Sequence, residues 1–238
     1  MKRWILVQLA VVVIVAAAGQ LWKATVPDDT FRTQEDTLNK GFDVEYVMGA
    51  DDYNSLVNYP EQNDTLVNDA AVIIVGKPTG NIFQEGAIFG QEIVIEEILK
   101  GSDNLRAAGF GETLYVFGAD GFYDVYEDGN IRYMGGFGLM QKSSSYLIFL
   151  EDVGYDLLFP VKGYWLFGGF YGRLRVDEPG AKSPPVTVPA EELSYDDVWD
   201  YEYIAESQKV LDEVYRMKEH VLELVRNAGL RDFGELAG

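Results

Sequence analysis

The feature that most restricts the fold is a stretch from residue 70 to residue 176 in which short apolar runs alternate with turn residues and no helical pattern intervenes. β-Branched and aromatic residues dominate the runs, and such residues favour strands over helices. Many short strands linked by tight turns bury their apolar faces by closing into a barrel or packing as a sandwich. The sequence therefore predicts a small antiparallel β-barrel here.

Turn residues separate the individual strands. The first run, Ala70 to Pro78, is continuously apolar and ends in glycine and proline, as a buried strand does. Asp128-Gly129 supplies the positive φ angles of a tight hairpin turn between residues 122–126 and 131–134. The other predicted strands are residues 88–99, 113–117, 146–150, 157–159, 164–167 and 173–176.

The N-terminus carries the pattern of an export signal. Lys2 and Arg3 precede an almost wholly apolar segment, and Ala16 to Ala18 offer small residues for cleavage. Residues 4–22 are also long enough to cross a bilayer, with a tryptophan at each end, where membrane interfaces favour one. We predict an extracytoplasmic protein in which residues 1–20 are either a cleaved signal peptide or a membrane anchor.

Residues 181–238 are predicted to form a proline-containing connector and a helix. The apolar stripe of the helix contains Val210, Leu211, Val214, Met217, Val221, Leu222, Leu224 and Val225. The charged residues predicted to lie largely off it are Glu206, Lys209, Asp212, Glu213, Arg216, Lys218, Glu219 and Glu223. Ser194 with Asp197 is the predicted upstream cap. So wide a stripe is typical of a helix docked on its own domain, although the spacing also allows two copies to pair.

Charge and residue counts exclude several functions. The chain has 39 acidic and 19 basic side chains, a net charge of −20, which opposes binding to nucleic-acid phosphates. It has no cysteine, so disulfides, thiolate metal sites and a cysteine nucleophile are excluded. His220 is the only histidine, which argues against a serine-hydrolase triad and against a histidine metal site. We therefore expect no metal and no cofactor.

Two clusters of side chains could carry a function. Asp120, Asp124, Glu127 and Asp128 surround the predicted hairpin, but Tyr126 breaks the spacing of an EF-hand loop, and turn formation accounts for the pattern. The second cluster is aromatic and comprises Tyr164, Trp165, Phe167, Phe170 and Tyr171. Exposed rings would stack on sugars or grip peptide side chains, whereas buried rings would form barrel core, which we favour.

Short patterns in the strand region resemble netrin/TIMP-like modules, which have an OB-type barrel. The resembling segments are Ala70–Lys77, Ile93–Gly101, Gly111–Val116 and Ser145–Leu150, and Gly168–Arg173 is similar to exported bacterial proteins that carry this barrel. The resemblance covers about residues 70–176 and implies the fold. TIMP-like inhibitors chelate a protease zinc through an N-terminal cysteine, which this chain lacks, so the resemblance implies neither that activity nor any site residue.

These observations divide the chain into four parts. Residues 1–20 are a signal or anchor, residues 21–64 a polar lead-in with a short helix starting at Pro60, residues 65–180 a barrel domain, and residues 181–238 a connector with a helix. We predict a non-catalytic binding module that presents barrel loops and an aromatic rim to a protein, peptide or glycan of the cell envelope. Two alternatives stay open: a carboxylate-dependent hydrolase of an extracellular polymer, and self-association through the C-terminal helix.

Overall fold

The computed structural model describes most of the chain from residue 65 onward and short pieces before it. The described residues are 31–33, 42–44, 47–49, 65–85, 88–107, 109, 111–118, 123–125, 131–133, 138–151, 161–177, 182–189 and 192–233. Arg32–Gly238 forms one compact unit. The predicted N-terminal segment 1–20, the helix start at Pro60 and the strand 157–159 lie outside the described residues. No helix of the described part is both long and apolar enough to cross a membrane.

The described chain is mainly β with one long helix near its C-terminus, as predicted. The strands are β1 (Phe31–Thr33), β2 (Phe42–Val44), β3 (Val72–Glu85), β4 (Ile88–Lys100), β5 (Thr113–Phe117), β6 (Tyr123–Val125), β7 (Ile131–Tyr133), β8 (Tyr146–Glu151), β9 (Gly163–Leu166) and β10 (Arg173–Arg175). The helices are α1 (Leu66–Asp69), α2 (Ser102–Ala107) and α3 (Gln208–Asn227), and 3-10 turns occur at Gly169–Gly172 and Tyr195–Asp197.

Five strands close into a ring in the order β3-β4-β5-β9-β8, and β8 pairs back with β3. The long strand β3 makes closure possible because its residues Val72–Gly76 pair with β8 while its other edge pairs with β4. Within the ring, neighbouring strands run antiparallel except β5 and β9, which are parallel, and outside the ring β2 and β7 also pair in parallel. The prediction of a wholly antiparallel sheet is wrong at this pairing. Directions can alternate all the way around a ring only when the number of strands is even, so five strands require one parallel pair.

The inside of the ring is a single apolar core. Side chains that alternate along the strands converge there: Val72, Ile74, Ile93, Leu114, Val116, Ile148, Leu150, Tyr164 and Leu166. Leu105 of α2 packs against the same core. Helix α2 was not predicted; it follows β4 after Gly101, a residue with a φ of +83°. Its six residues are too few to show a helical period, and burial of Leu105 in the core holds them in place.

Helix α3 packs on the outer wall of this ring, as the width of its stripe predicted. Its buried face contacts Ile73 of β3, Leu147 and Phe149 of β8, and Leu174 of β10. Along β3 and β8 these residues alternate with the ones that point into the ring, so both faces of this wall are apolar and covered. The β-rich part and the C-terminal helix therefore share a core.

The start of the helix differs from the prediction. Ser207 caps α3, with its side-chain oxygen accepting the Val210 N–H, whereas Ser194 precedes only the short 3-10 turn Tyr195–Asp197. The chain leaves helical geometry after this turn because Val198 and Ile204 pack with Leu139 in a further apolar cluster. Packing outweighs the local capping signal there.

The proline-containing connector also belongs to this cluster. Val186 is buried in it, and its backbone N–H donates a hydrogen bond to the Ala205 carbonyl at 2.8 Å. Residues 182–189 carry no helix or strand assignment, consistent with their prolines, but they are packed against the domain. The connector thus brings its first residues close to those just before α3, which is where a charged pocket forms.

Candidate functional site

The aromatic residues predicted as a binding rim are distributed over several environments. Tyr164 points into the ring and is 4% exposed, and Tyr171 is 7% exposed in the core beneath α3. Trp165 and Phe167 are half-buried. The side chain of Phe170 lies outside the described part. The structure therefore does not gather the described members on one exposed surface, and their role in binding stays a prediction.

Trp165 belongs instead to a row of rings on the outer wall of the strands. Its ring centroid lies 5.8 Å from that of Phe117, which lies 6.5 Å from Tyr115 and 6.0 Å from Phe83. Phe83 and Phe117 are buried, whereas Tyr115 and Trp165 are half-buried. Residues 115 and 117 alternate along β5 with the ring-facing Leu114 and Val116, so this row follows from the period of a strand.

The other sequence candidates do not converge on a metal site. Within the described residues, no three or more His, Cys, Asp or Glu side chains are placed to hold a metal ion. His220 is half-buried on α3. Of the hairpin carboxylates, Asp124 lies on β6 and its side chain is not described, while Asp120, Glu127 and Asp128 lie outside the described residues.

A buried ion pair joins α3 to the segment that precedes it. The Lys218 side chain is fully buried, and its Nζ donates hydrogen bonds to both carboxylate oxygens of Glu202, at 2.8 and 3.0 Å. Glu202 also accepts a hydrogen bond from the backbone N–H of Arg175 on β10, at 2.8 Å. Glu202 therefore ties together three segments: the last strand, the pre-helix segment and α3.

The burial of Lys218 corrects the prediction that it lies off the stripe. Lys218 stands four residues after Val214 and four before Leu222, both of which are buried, so it occupies the same helical face. A buried ammonium needs a carboxylate partner, because desolvation of an isolated charge is costly. The position of a lysine on the buried face of the helix therefore predicts a buried carboxylate beside it. In the structure, this carboxylate belongs to Glu202.

Tyrosines surround this ion pair. Burial raises the pKa of Tyr146 to about 12, although the N–H donated by Gln141 to its hydroxyl acts in the opposite direction. Burial and the Glu202 charge raise the pKa of Tyr203 well above its usual value. Burial likewise raises the pKa of Tyr215, whose hydroxyl accepts the Ser183 N–H at 2.6 Å. These hydroxyls stay neutral at physiological pH.

A pocket of about 240 Å³ opens above this network. Its lining residues are Arg175, Lys182, Ser183, Pro184, Asp200, Tyr201 and Glu202. Arg175 donates from Nε to Asp177 at 3.1 Å, and Lys182 Nζ lies 5.6 Å from the centre of the Tyr215 ring. In the described part of the chain, Lys182 and Asp200 line this pocket without an ion pair to each other.

An exposed tryptophan adjoins the pocket in the sequence. Trp199 is 44% exposed, one of a few large apolar side chains in the described part with so much exposure, and it directly precedes Asp200, Tyr201 and Glu202. The indole ring is a common contact for sugars and peptide side chains because it combines a large apolar face with a polar edge. Charged groups of both signs and an exposed ring thus lie close together on this segment.

The sequence alone did not reveal this pocket. Its walls come from residues 175, 182–184 and 200–202, three separate segments that the packed connector brings together. Charged and small polar residues are common throughout the chain, so none of the three segments has a distinctive pattern. Trp199 stands among acidic residues, but a single tryptophan in such a context does not by itself indicate a site.

No model of a known protein family matches the sequence, and no curated protein is significantly similar to it.

Proposed function

We propose that this protein is an exported, non-catalytic binding module built on an OB-type barrel of the netrin-like kind. The five-strand ring would be that barrel, and residues 1–20 would direct export or hold the protein in the membrane. The observation that carries the binding role is the pocket lined by Arg175, Lys182 and Asp200. The exposed Trp199 directly precedes Asp200 in the chain.

The hydrogen bonds that Glu202 accepts support a binding role for the pocket over a catalytic one. Both of its oxygens accept hydrogen bonds from Lys218, and one also accepts the Arg175 N–H. A carboxylate held in this way has a structural task and is poorly placed to exchange protons with a substrate. The pocket then has a rigid floor, which limits the entropy lost when a ligand is bound.

The pocket chemistry suits a polar ligand. Lys182 and Asp200 offer one charge of each sign, and Ser183 offers a hydroxyl. A peptide carries amide and charged groups that match such a wall, and a charged glycan does so as well. Trp199 would then stack on a ring or an aliphatic stem of the same ligand. We assign the partner to the peptides, proteins or glycans of the cell envelope.

A comparison of matched variants tests this proposal. Envelope material would be cross-linked to wild-type protein, to Trp199→Ala and to the double variant Lys182→Gln/Asp200→Asn, and the recovered partner quantified. Recovery should fall at least about tenfold with Trp199→Ala if the ring is a central contact. The control Lys142→Gln/Asp103→Asn alters two exposed charges outside the pocket and should bind as the wild type does.

The same experiment separates the pocket from the predicted aromatic rim. Trp165→Ala should leave recovery unchanged if the pocket is the contact surface. Loss of binding with Trp165→Ala alone would move the site to the outer aromatic row. Equal recovery with every variant would contradict the assignment of a binding site to this part of the surface.

A further inference from the structure

Strand β4 has two neighbours over its first half and one over its second. β5 pairs with Gly90–Val94, and the last contact on that side is the hydrogen bond from the Ile95 N–H to the Glu112 carbonyl, at 2.8 Å. From residue 96 to residue 100, β4 pairs with β3 alone among the described strands. Within the described residues, this part of β4 is therefore an open sheet edge whose backbone groups face no second strand.

The side chains along this edge are apolar or charged, and its one basic residue, Lys100, donates from Nζ to the Val67 and Asn68 carbonyls. Val94 and Ile98 are 38% and 42% exposed, which makes them two of the most exposed large apolar side chains of the described part. Glu96 and Glu97 lie between them and are exposed, and Glu96 accepts a hydrogen bond from the Ser145 hydroxyl at 2.7 Å. Val94 belongs to the part of β4 that β5 covers, so an added strand would meet the apolar side chain of Ile98 and the carboxylates of Glu96 and Glu97.

The carboxylates determine which strand can be added. A second copy would bring its own Glu96 and Glu97 toward this edge, and two chains of net charge −20 repel each other. Acidic side chains on an edge therefore oppose self-pairing while leaving the edge open to a cationic strand. The chain itself shows that a cation fits here, because Arg231 donates from its guanidinium to the Glu97 carboxylate.

We propose that residues 96–100 of β4 form a docking edge for an extended peptide that alternates basic and apolar side chains. Main-chain hydrogen bonds to the open edge supply affinity, as in other cases of strand addition, and Glu96 and Glu97 select for positive charge. This surface involves none of the pocket residues, so it stands or fails independently of the function proposed above.

A synthetic peptide of alternating lysine and valine, acetylated and amidated at its ends, is a direct probe. Amide hydrogen exchange of the full chain should slow at residues 96–100 when the peptide is added. A peptide of alternating glutamate and valine should not bind. A lysine–valine peptide with a central proline should bind at least about tenfold more weakly, because proline removes a main-chain donor and does not fit a paired strand.

Protein variants test the selection by charge. Glu96→Gln/Glu97→Gln removes two charges at the edge and should weaken binding of the lysine–valine peptide by about three- to tenfold, the effect expected of two exposed ion pairs. The control Asp196→Asn/Asp197→Asn removes two adjacent exposed charges elsewhere and should change affinity less than about twofold. Equal weakening by both pairs, or equal binding of the proline peptide, would overturn the proposal.

Discussion

At the scale of single residues, the ion pair between Lys218 and Glu202 connects α3 to the segment before it, and Glu202 also connects both to β10. Replacement of Lys218 by methionine keeps the volume of the side chain but leaves the Glu202 carboxylate, 9% exposed, without its cation. We expect the free energy of unfolding to fall by about 3 to 5 kcal/mol, as when one partner of a buried ion pair is removed. Chemical denaturation measures this directly.

A second substitution distinguishes charge from packing at the same position. Glu202→Gln combined with Lys218→Met removes both charges and keeps an acceptor for the Arg175 N–H, so it should recover part of the loss. The exposed Lys142, outside this helix, serves as a control, since Lys142→Met should change stability by less than about 0.5 kcal/mol. A double variant as unstable as Lys218→Met alone would show that the ion pair is not the cause.

At the scale of secondary-structure elements, the parallel pairing of β5 with β9 depends on a residue without a side chain. Gly163 lies beside Tyr115, and a Cβ there would stand 2.3 Å from the Tyr115 carbonyl oxygen and 2.6 Å from the Phe117 ring. Gly163→Ala should therefore destabilise the protein by about 1 to 3 kcal/mol, the usual cost of overpacking. Gly111→Ala is the control, because a Cβ at Gly111 meets no atom within 4 Å. Equal melting temperatures for the two variants would refute this account of the pairing.

The elements differ in how far sequence alone could predict them. β3, β4, β5 and β8 were predicted because runs of β-branched and aromatic residues carry the signal locally. The parallel contact of β9 with β5 was not, because it depends on how many strands close the ring. The burial of Lys218 could have been predicted, because its spacing from Val214 and Leu222 places it on the apolar face of the helix. The pocket was not, because its residues become neighbours only after the connector packs.

At the scale of the whole molecule, buried tyrosines give the protein a specific weakness in alkali. The pKa of Tyr146 is raised to about 12, and burial raises those of Tyr203 and Tyr215 as well. Below pH 10 both folded and unfolded chains keep these protons, so no stability is lost. Between pH 10 and 12 the unfolded chain releases protons that the folded chain retains, and stability should fall with rising pH. Melting temperatures recorded from pH 8 to pH 12 test this.

Tyr203→Phe identifies the cause of that loss. The Tyr203 hydroxyl is buried and has no hydrogen-bond partner in the described part of the chain, so its removal should cost less than about 1 kcal/mol at pH 7. The variant should also retain more of its stability above pH 10, since one proton fewer is released on unfolding. A melting temperature that stays level from pH 10 to pH 12 in the wild type would contradict the argument.

Closure of the ring through β3 and β8 has a kinetic consequence. Gly76 pairs with Tyr146, so this seam joins positions 70 residues apart in the sequence, and other pairs of the seam are separated further. Contacts of such long range require a large loop to close before they contribute stability, which slows folding. During synthesis the β3–β4 hairpin emerges from the ribosome long before β8 does. Until then, the apolar side chains of Val72 to Val75 stay exposed to solvent. The interval before β8 arrives is when this chain is most exposed to aggregation and most in need of a chaperone.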